Sequence, residues 1–412
     1  MSIDIKMAWR NIWRNPRRSI LTMSAIAFAT VLLVFMLSWQ FGSYATMINS
    51  AVKMHSGHLQ VQAKGYKDKK SIHLVVPDPA AVCTLLDGIP EVAAYTLRGN
   101  AFSLVSSKSR TYGAMVIGID PSKEAKVSTL KQLVRKGAYL SDEGGQQALV
   151  GRLLAKNLKI TVGDEFVVLG QGRDGSIAAT VLKLKGIFNS GQDSFDRSSV
   201  HIPLKTFQEV YAMRGAVHEA VVICDSLDSV SAVKRRVAEG IKDTGGKRSL
   251  DVLDWLELMP GLIQAIRLDL ASGFIMYFIL IIVVAFSILN TFLMTIFERT
   301  REFGVLMAIG TTPGRLSKIL LLESTTITLV GLIVGIIAGS LVTWYFQVHG
   351  IVISGASELL RQFGLPERMH PQLSVLSASI GAGIVLAITI LTALYPALKV
   401  RRFKPVEAMA AV

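Results

Sequence analysis

The sequence predicts an α-helical membrane protein with four transmembrane helices and a large extracytoplasmic mixed α/β domain inserted between the first and second. Three observations predict it. First, the 412 residues are 51% hydrophobic and only 18% charged, with a mean hydropathy of +0.45. The apolar residues are bunched, whereas a soluble chain of this length spreads them over two or three more highly charged domains. Second, the stretches 20–41, 270–297, 319–346 and 373–394 each reach the roughly 20 apolar residues of a span, with no Lys, Arg or Asp in their middles. Third, much of the formal net charge of +14 sits in short clusters beside those stretches.

The clusters set the orientation. Lys6, Arg10, Arg14, Arg17 and Arg18 precede the first span. Arg299, Arg301, Arg315 and Lys318 separate the second from the third, and Lys399, Arg401, Arg402 and Lys404 follow the fourth. Four crossings put all three clusters on one side, and the excess of Lys and Arg in cytoplasmic segments makes that side the cytoplasm, with both termini. The expected order is a cytoplasmic elbow helix 1–18, first span 19–42, α/β domain 43–268, second span 269–297, cytoplasmic coupling helix 298–318, third span 319–347, short outer loop 348–371, fourth span 372–396 and cytoplasmic tail 397–412. The first apolar run is too long for a signal-peptide core and no small-x-small cleavage site follows it, so it reads as retained. Glu323, near the start of the third span, is placed to reach the interface or a partner subunit. No base-reading motif accompanies the positive charge, so nucleic acid is not an expected partner.

Ile5, Ala8, Trp9, Ile12 and Trp13 recur with helical period, while Lys6, Arg10, Arg14, Arg17 and Arg18 step along another face. This is an interfacial amphipathic helix with Trp at the headgroups and cations toward anionic lipid. Pro16 ends or kinks it. It either anchors the first span or acts as an elbow that moves with it.

In the inserted domain, β-rich runs at 58–63, 101–105, 114–119, 166–169, 178–184 and 221–224 alternate with helical patterns at 78–86, 147–157, 204–213 and 229–241. Leu169 and Ala178 flank a hairpin-length loop. His55, His58, His73, His201 and His218 have no metal or catalytic spacing and read as structural or solvated. Neither metal nor catalytic residue is expected. Cys83 and Cys224 can form a disulfide in an oxidising compartment, and two unpaired, partly buried thiols are the alternative expectation. The nearest approach to a phosphate loop, Gly245, Gly246, Lys247 and Arg248, has Ile241 at its first glycine position and Arg248 in place of Ser or Thr. The chain is therefore not expected to hydrolyse ATP.

Between the second and third spans, a charged turn is expected after Phe297. An apolar helix 303–309 and a Gly/Pro break at 310–314 follow. Phe303, Leu306 and Met307 share a face, and Gly304 and Ala308 allow close approach of another surface. That apolar face needs a cover. Periodicity alone leaves two choices open: burial against the chain's own spans, or docking in a partner's groove.

The run Glu298 to Arg315 (E-R-T-R-E-F-G-V-L-M-A-I-G-T-T-P-G-R) closely resembles the coupling segment of the FtsX-like, MacB-type (type VII) ABC permeases. Tyr395, Pro396 and Ala397 with Pro405, Glu407 and Ala408 resemble that family's ending. Ala8, Trp9, Arg10 and Asn11 with Asn15, Pro16, Arg17 and Arg18 resemble its N-terminal elbow. The segments 57–62, 116–121, 149–151, 162–164 and 186–191 look like the lipoprotein-releasing (LolC/LolE) branch. The resemblance implies a non-catalytic permease of the bacterial inner membrane, paired with a second permease. ATP and Mg²⁺ would be carried by a partner ATPase. Dimerisation of the ATPases would move the spans and the outer domain by mechanotransmission. By this analogy Glu298, Arg301, Glu302, Gly304, Met307, Ala308 and Gly310 carry the ATPase contact, and Trp9, Arg10, Trp13, Arg14, Arg17 and Arg18 form the membrane elbow. The insert would divide into a proximal part (43–115 with 215–265) and a distal part (116–214). The branch implies lipoprotein cargo and a periplasmic carrier, although the loop 171–176 looks too short for the carrier-capturing hook of one branch member. The alternatives are efflux of peptides or drugs through an adaptor protein, and FtsX-like regulation of cell-wall hydrolases without transport. A lipophilic substrate would meet Phe28, Val31, Phe35, Phe274, Tyr277 and Phe278, which serve equally well as ordinary helix packing.

Overall fold

The computed structural model describes residues 3–142, 145–243, 249–352, 355 and 368–401. Gly245–Arg248 of the near phosphate loop, most of the predicted outer loop, and Arg402, Lys404 and the Pro405–Met409 ending lie outside the described residues. The chain divides into a helical unit drawn from Met1–Thr46, Ala265–Val352 and Arg368–Val412, and a mixed α/β unit drawn chiefly from Met47–Gln264.

The helical unit holds the elbow helix Ile3–Arg14 and four helices long and apolar enough to cross a membrane. These are span 1 (Pro16–Ala51), span 2 (Pro260–Ala308), span 3 (Pro313–His349) and span 4 (Val375–Val400). Spans 1, 2 and 3 extend past both predicted limits and span 4 past its C-terminal one, starting only at Val375, because hydropathy marks the apolar stretch and not the helix that carries it. Pro16 opens span 1 and Pro313 opens span 3, at first-turn positions where proline's missing N–H costs nothing. Spans 1 and 3 touch through Gly331, Gly335 and Gly339, spaced one turn apart. A Cβ at Gly335 would lie 2.6 Å from Thr30 Cβ, and one at Gly331 would lie 3.0 Å from Ile26 Cβ. Small residues at this spacing let helices approach where lipid gives no hydrophobic drive. Ser38 and Ser377 Oγ atoms join spans 1 and 4 at 2.9 Å. Ile26, Leu33, Ile288, Phe292, Ile327, Leu332, Val385 and Ala393 form the core. Span 2 is the least enclosed. Only 6% of its most apolar stretch is buried, against 39%, 33% and 28% in spans 1, 3 and 4.

The α/β unit is built on one ten-stranded sheet. Its strands are β1 (Leu59–Ala63), β2 (Val92–Ser106), β3 (Thr111–Ile119), β4 (Val134–Gly137), β5 (Gln147–Gly151), β6 (Glu165–Gln171), β7 (Ile177–Phe188), β8 (Ser199–Pro203), β9 (Glu219–Cys224) and β10 (Leu250–Asp254). The order is β10-β1-β9-β2-β3-β8-β5-β7-β4, with β6 pairing β2 and β7. β3–β8 and β5–β7 are parallel, and the remaining pairs are antiparallel. The predicted β6–β7 hairpin is present and closes at Gln171 opposite Ile177, leaving only 172–176 as its loop. The predicted helix 147–157 is instead β5 followed by the helix Arg152–Leu158. Ala148, Leu149 and Val150 are buried on both faces, and such a run has neither helical nor alternating period. The predicted proximal–distal boundary at 115/116 cuts β3, which pairs with β2 over Thr111–Ile119. The sheet is therefore continuous there, although its apolar filling is split into separate clusters.

At the centre of the sheet Arg98 on β2 is fully buried and donates to both carboxylate oxygens of Glu124, at 2.6 and 3.0 Å. Burial pushes the Glu124 carboxyl up, but the Arg98 charge and its hydrogen bonds outweigh this and hold it below the usual range. His58 Nδ1 accepts from the Cys224 N–H at 2.9 Å, and His218 Nδ1 from the Asn100 N–H at 3.0 Å. These histidines are structural. Cys83 and Cys224 are free thiols, and burial pushes Cys224 up to about 11.

Candidate coupling site and the surface of span 2

The predicted charged turn at 298–302 does not form. Span 2 runs unbroken through it to Ala308, so 298–318 is not one separate coupling helix but a helix end, a break and the start of span 3. Glu and Arg are good helix formers, and the charges here have partners. Glu298 accepts from Arg18, and Glu302 from Arg14, so two residues four apart on span 2 meet two residues four apart at the elbow. Arg299 lies 3.1 Å from Glu323 and 3.4 Å from Glu302, with its guanidinium 5.3 Å from the Phe303 ring centre. Arg299 and Glu323 are both nine-tenths buried. The partner of Glu323 is thus within the chain. Beside this pair, Ser19, Thr22, Thr291 and Ser324 help to line a cavity of about 30 Å³, a volume that fits one or two waters.

Beyond Glu302 the helix keeps an apolar inner face. Phe303 and Met307 are buried with Ile296, Leu316, Leu320 and Val400. Of the two covers left open by the sequence, the chain's own spans take this face. The helix ends where Gly310 turns to φ +101°. Gly310 N–H then donates to Met307 O at 3.1 Å and Thr311 N–H to Leu306 O at 3.0 Å. That bond pattern is a Schellman cap, which satisfies the orphan carbonyls at a left-handed glycine. Thr312 and Pro313 restart the chain as span 3, where Ser317 Oγ donates to Ala397 O at 2.7 Å.

The seven predicted coupling residues therefore separate. Glu298, Arg301, Ala308 and Gly310 are exposed, and Glu302 is half-buried in its ion pairs. Gly304 and Met307 are buried by the chain itself and present no surface to a partner. The outward face adds two residues that sequence reasoning missed, Val305 at 47% exposure and Ile309 at 77%. Their four-residue spacing, opposite Phe303 and Met307, was the available signal.

In the elbow, Ala8 and Ile12 face inward, while Trp9 and Trp13 stack edge-to-face at 6.0 Å and remain exposed with Arg10 and Arg17. Arg14 and Arg18 serve the ion pairs, and Ser19 Oγ donates to Ile12 O at 2.7 Å across the Asn15–Pro16 corner.

The six candidate substrate-facing residues do not form one surface. Phe274 and Phe278 stack at 6.4 Å and are exposed, as is Phe28. Phe35 packs edge-on to Phe346 of span 3 at 5.7 Å, and the Val31 backbone lies against Gly339. Tyr277 turns to span 1 and donates to Gln40 Oε1 at 2.9 Å. Gln40 in turn donates to the Tyr44 hydroxyl, which donates to Asp269 at 2.6 Å. This polar chain ties spans 1 and 2 and left no periodic trace in the sequence.

Comparison with known proteins agrees with this architecture. The family model described as the MacB-like periplasmic core domain matches residues 19–239, and the one described as FtsX-like permease C-terminal matches residues 274–405. The lipoprotein-releasing system transmembrane protein LolC of Xylella fastidiosa is 24% identical over 96% of this chain and 95% of its own length. The uncharacterized ABC transporter permease YknZ of Bacillus subtilis is 23% identical over 98% of both chains. Among solved structures, the periplasmic region of MacB from Actinobacillus actinomycetemcomitans covers 51% of this chain and 92% of its own, at 17% identity and a TM-score of 0.38. With four membrane-length helices and an α/β domain between the first two, the chain belongs to the FtsX-like, MacB-type family of ABC transporter permeases.

Proposed function

We propose that this permease extracts lipoproteins, or another lipophilic substrate, from the outer leaflet of the inner membrane by mechanotransmission, driven by a separate ATPase subunit that binds ATP and Mg²⁺. Both termini and the 298–318 segment lie in the cytoplasm, and the α/β domain lies in the periplasm. A second permease, identical or not, completes the complex. The observation that carries the coupling role is the helix end at Ala308. Its inner face is satisfied by its own spans, while Arg301, Val305, Ala308 and Ile309 face outward with apolar surface to cover. The lipoprotein cargo is supported by likeness to LolC over nearly the full length. Span 2, the most exposed of the four, carries the Phe274–Phe278 stack on the side open to lipid or cargo.

The test is purification of the chain from its native membrane in mild detergent, with mass spectrometry of everything bound. An ATPase with co-purifying lipoprotein is the expected result. An ATPase with an adaptor protein would replace this cargo by the efflux reading, which the MacB-like core domain supports. Recovery with cell-wall hydrolases would point to the regulatory reading. Absence of any ATPase would overturn the coupling role.

A further inference from the structure

The α/β unit contains a cleft of about 470 Å³, within the range of about 300–1,000 Å³ usual for ligand sites. It lies between one face of β1 and β9, residues 192 and 195, and the segment 258–260. Strand alternation builds its floor. Leu59 and Val61 of β1 enter the core, so Gln60 and Gln62 point to the opposite face. Antiparallel register sets Glu219 of β9 directly across from Gln62. These three polar side chains are only 4%, 2% and 6% exposed.

Their hydrogen bonding is incomplete. Gln60 Nε2 donates to Ser56 O at 2.8 Å, but the Gln62 side chain has no partner among the described residues. Glu219 Oε2 is buried with no hydrogen-bond partner. Burial pushes the Glu219 carboxyl upward, against the opposing pull of the Arg98 charge and of a hydrogen bond with Asn100. A buried carboxyl oxygen lacking a donor costs stability unless something supplies one. Lys67 and Lys70 stand at the rim, and Met54, Phe195 and Met259 make an apolar wall.

The geometry points to a site for an extended peptide segment, its backbone amides paired with Gln60 and Gln62 and an amine or N–H delivered to Glu219. Alternate residues on a strand are about 6.6–6.8 Å apart, which is also the repeat of alternate amides in an extended peptide. A carboxamide gives both a donor and an acceptor, as a peptide group requires. The two methionines are adaptable enough to meet varied side chains. Nothing in this chemistry depends on the transporter's cargo, since a peptide of cargo or partner would fit alike.

The test uses the full chain in detergent and a fluorescein-labelled pentapeptide, Ala-Lys-Ala-Leu-Ala, read by fluorescence anisotropy. Glu219→Gln and Gln62→Leu should each weaken binding by about tenfold or more, the scale of a lost hydrogen bond to a buried charged or polar partner. Ile177→Ser, an exposed site on β7, should leave affinity unchanged. Hydrogen exchange on the unmutated chain is a mutation-free second measurement, with peptide-induced protection expected in β1 and β9. Equal affinity in all three variants would overturn the assignment. So would no binding at about 1 mM peptide, or no protection of β1 and β9.

Discussion

Ile309 and Met307 lie two residues apart at the end of span 2 and should fail in different ways. Ile309 is 77% exposed, so its side chain contributes little to the chain's own fold. If an ATPase groove covers it, docking removes most of that surface from water. Full burial of an isoleucine is worth about 1.5–3 kcal/mol, so the exposed share is about 1–2 kcal/mol. Ile309→Ser should therefore weaken ATPase binding by roughly five- to thirtyfold and leave the permease's melting temperature within about 1–2 °C. Met307 is 8% exposed and packed with Phe303, Leu316 and Val400. Met307→Ala should cost about 2–5 kcal/mol of packing and lower the melting temperature of the permease alone. The assay titrates the purified ATPase against permease in nanodiscs, alongside thermal melts of each variant. Unchanged ATPase affinity in a well-folded Ile309→Ser variant would refute the docking face. A stable Met307→Ala variant that had lost ATPase affinity would show that Met307 itself makes the contact.

Removing one partner of a buried ion pair strands the other, so Glu323→Leu should destabilise the helical unit by about 3–5 kcal/mol, and adding Arg299→Met should recover most of the loss. A single variant as stable as the parent in thermal melts would contradict the pairing at 3.1 Å. The elbow pairs are more exposed and worth about 0.2–1 kcal/mol each. Arg18→Glu should weaken ATPase stimulation and Glu298→Arg should restore it, whereas a double-mutant cycle with no coupling would remove the elbow from the mechanism. In the α/β unit, burial pushes His201 down to about 3 and His218 down to about 4. As pH falls from the unfolded value of about 6.5, the unfolded chain takes up protons that the native one refuses. Stability should drop by about 1.4 kcal/mol per pH unit for each histidine. Glu219 and Asp196, whose carboxyls are raised by burial, work in the opposite direction. His218→Gln should reduce the slope by about one proton in denaturant unfolding between pH 7 and 5, and an unchanged slope would exclude His218 as a source.

The spans were legible because the signal is a sum over some twenty residues and survives local irregularity. The β6–β7 hairpin was legible because Val167 and Leu169 point outward while Phe166 and Val168 point in, an alternation closed by the turn residues 172–175. β5 was not, because Ala148, Leu149 and Val150 are all buried, and a short run apolar on both faces has no period to read. The coupling segment was recognisable by its letters, but which face looks outward depended on Val400 and Leu316, one of them far along the chain. The polar chain Tyr277–Gln40–Tyr44–Asp269 was illegible for the same reason, since its members become neighbours only after spans 1 and 2 pair.

The same long-range contacts bear on how the helix end could work as a lever. An isolated helix terminus frays and would absorb a push in its last turn. Here the last turns are braced on three sides. Phe303 and Met307 lock into spans 3 and 4 through Leu320 and Val400. Arg299 ties span 2 to Glu323 of span 3, and Glu298 and Glu302 hold the elbow and the start of span 1. A load on Ile309 would thus reach all four spans through packed or ion-paired groups. A pivot of the segment at Gly310 would use that residue's left-handed backbone and open surroundings. Substituting Gly310 with Ala strains that conformation by about 1–2 kcal/mol. It should therefore lower ATPase-driven transport while sparing ATPase binding, a separation that a merely structural glycine would not produce.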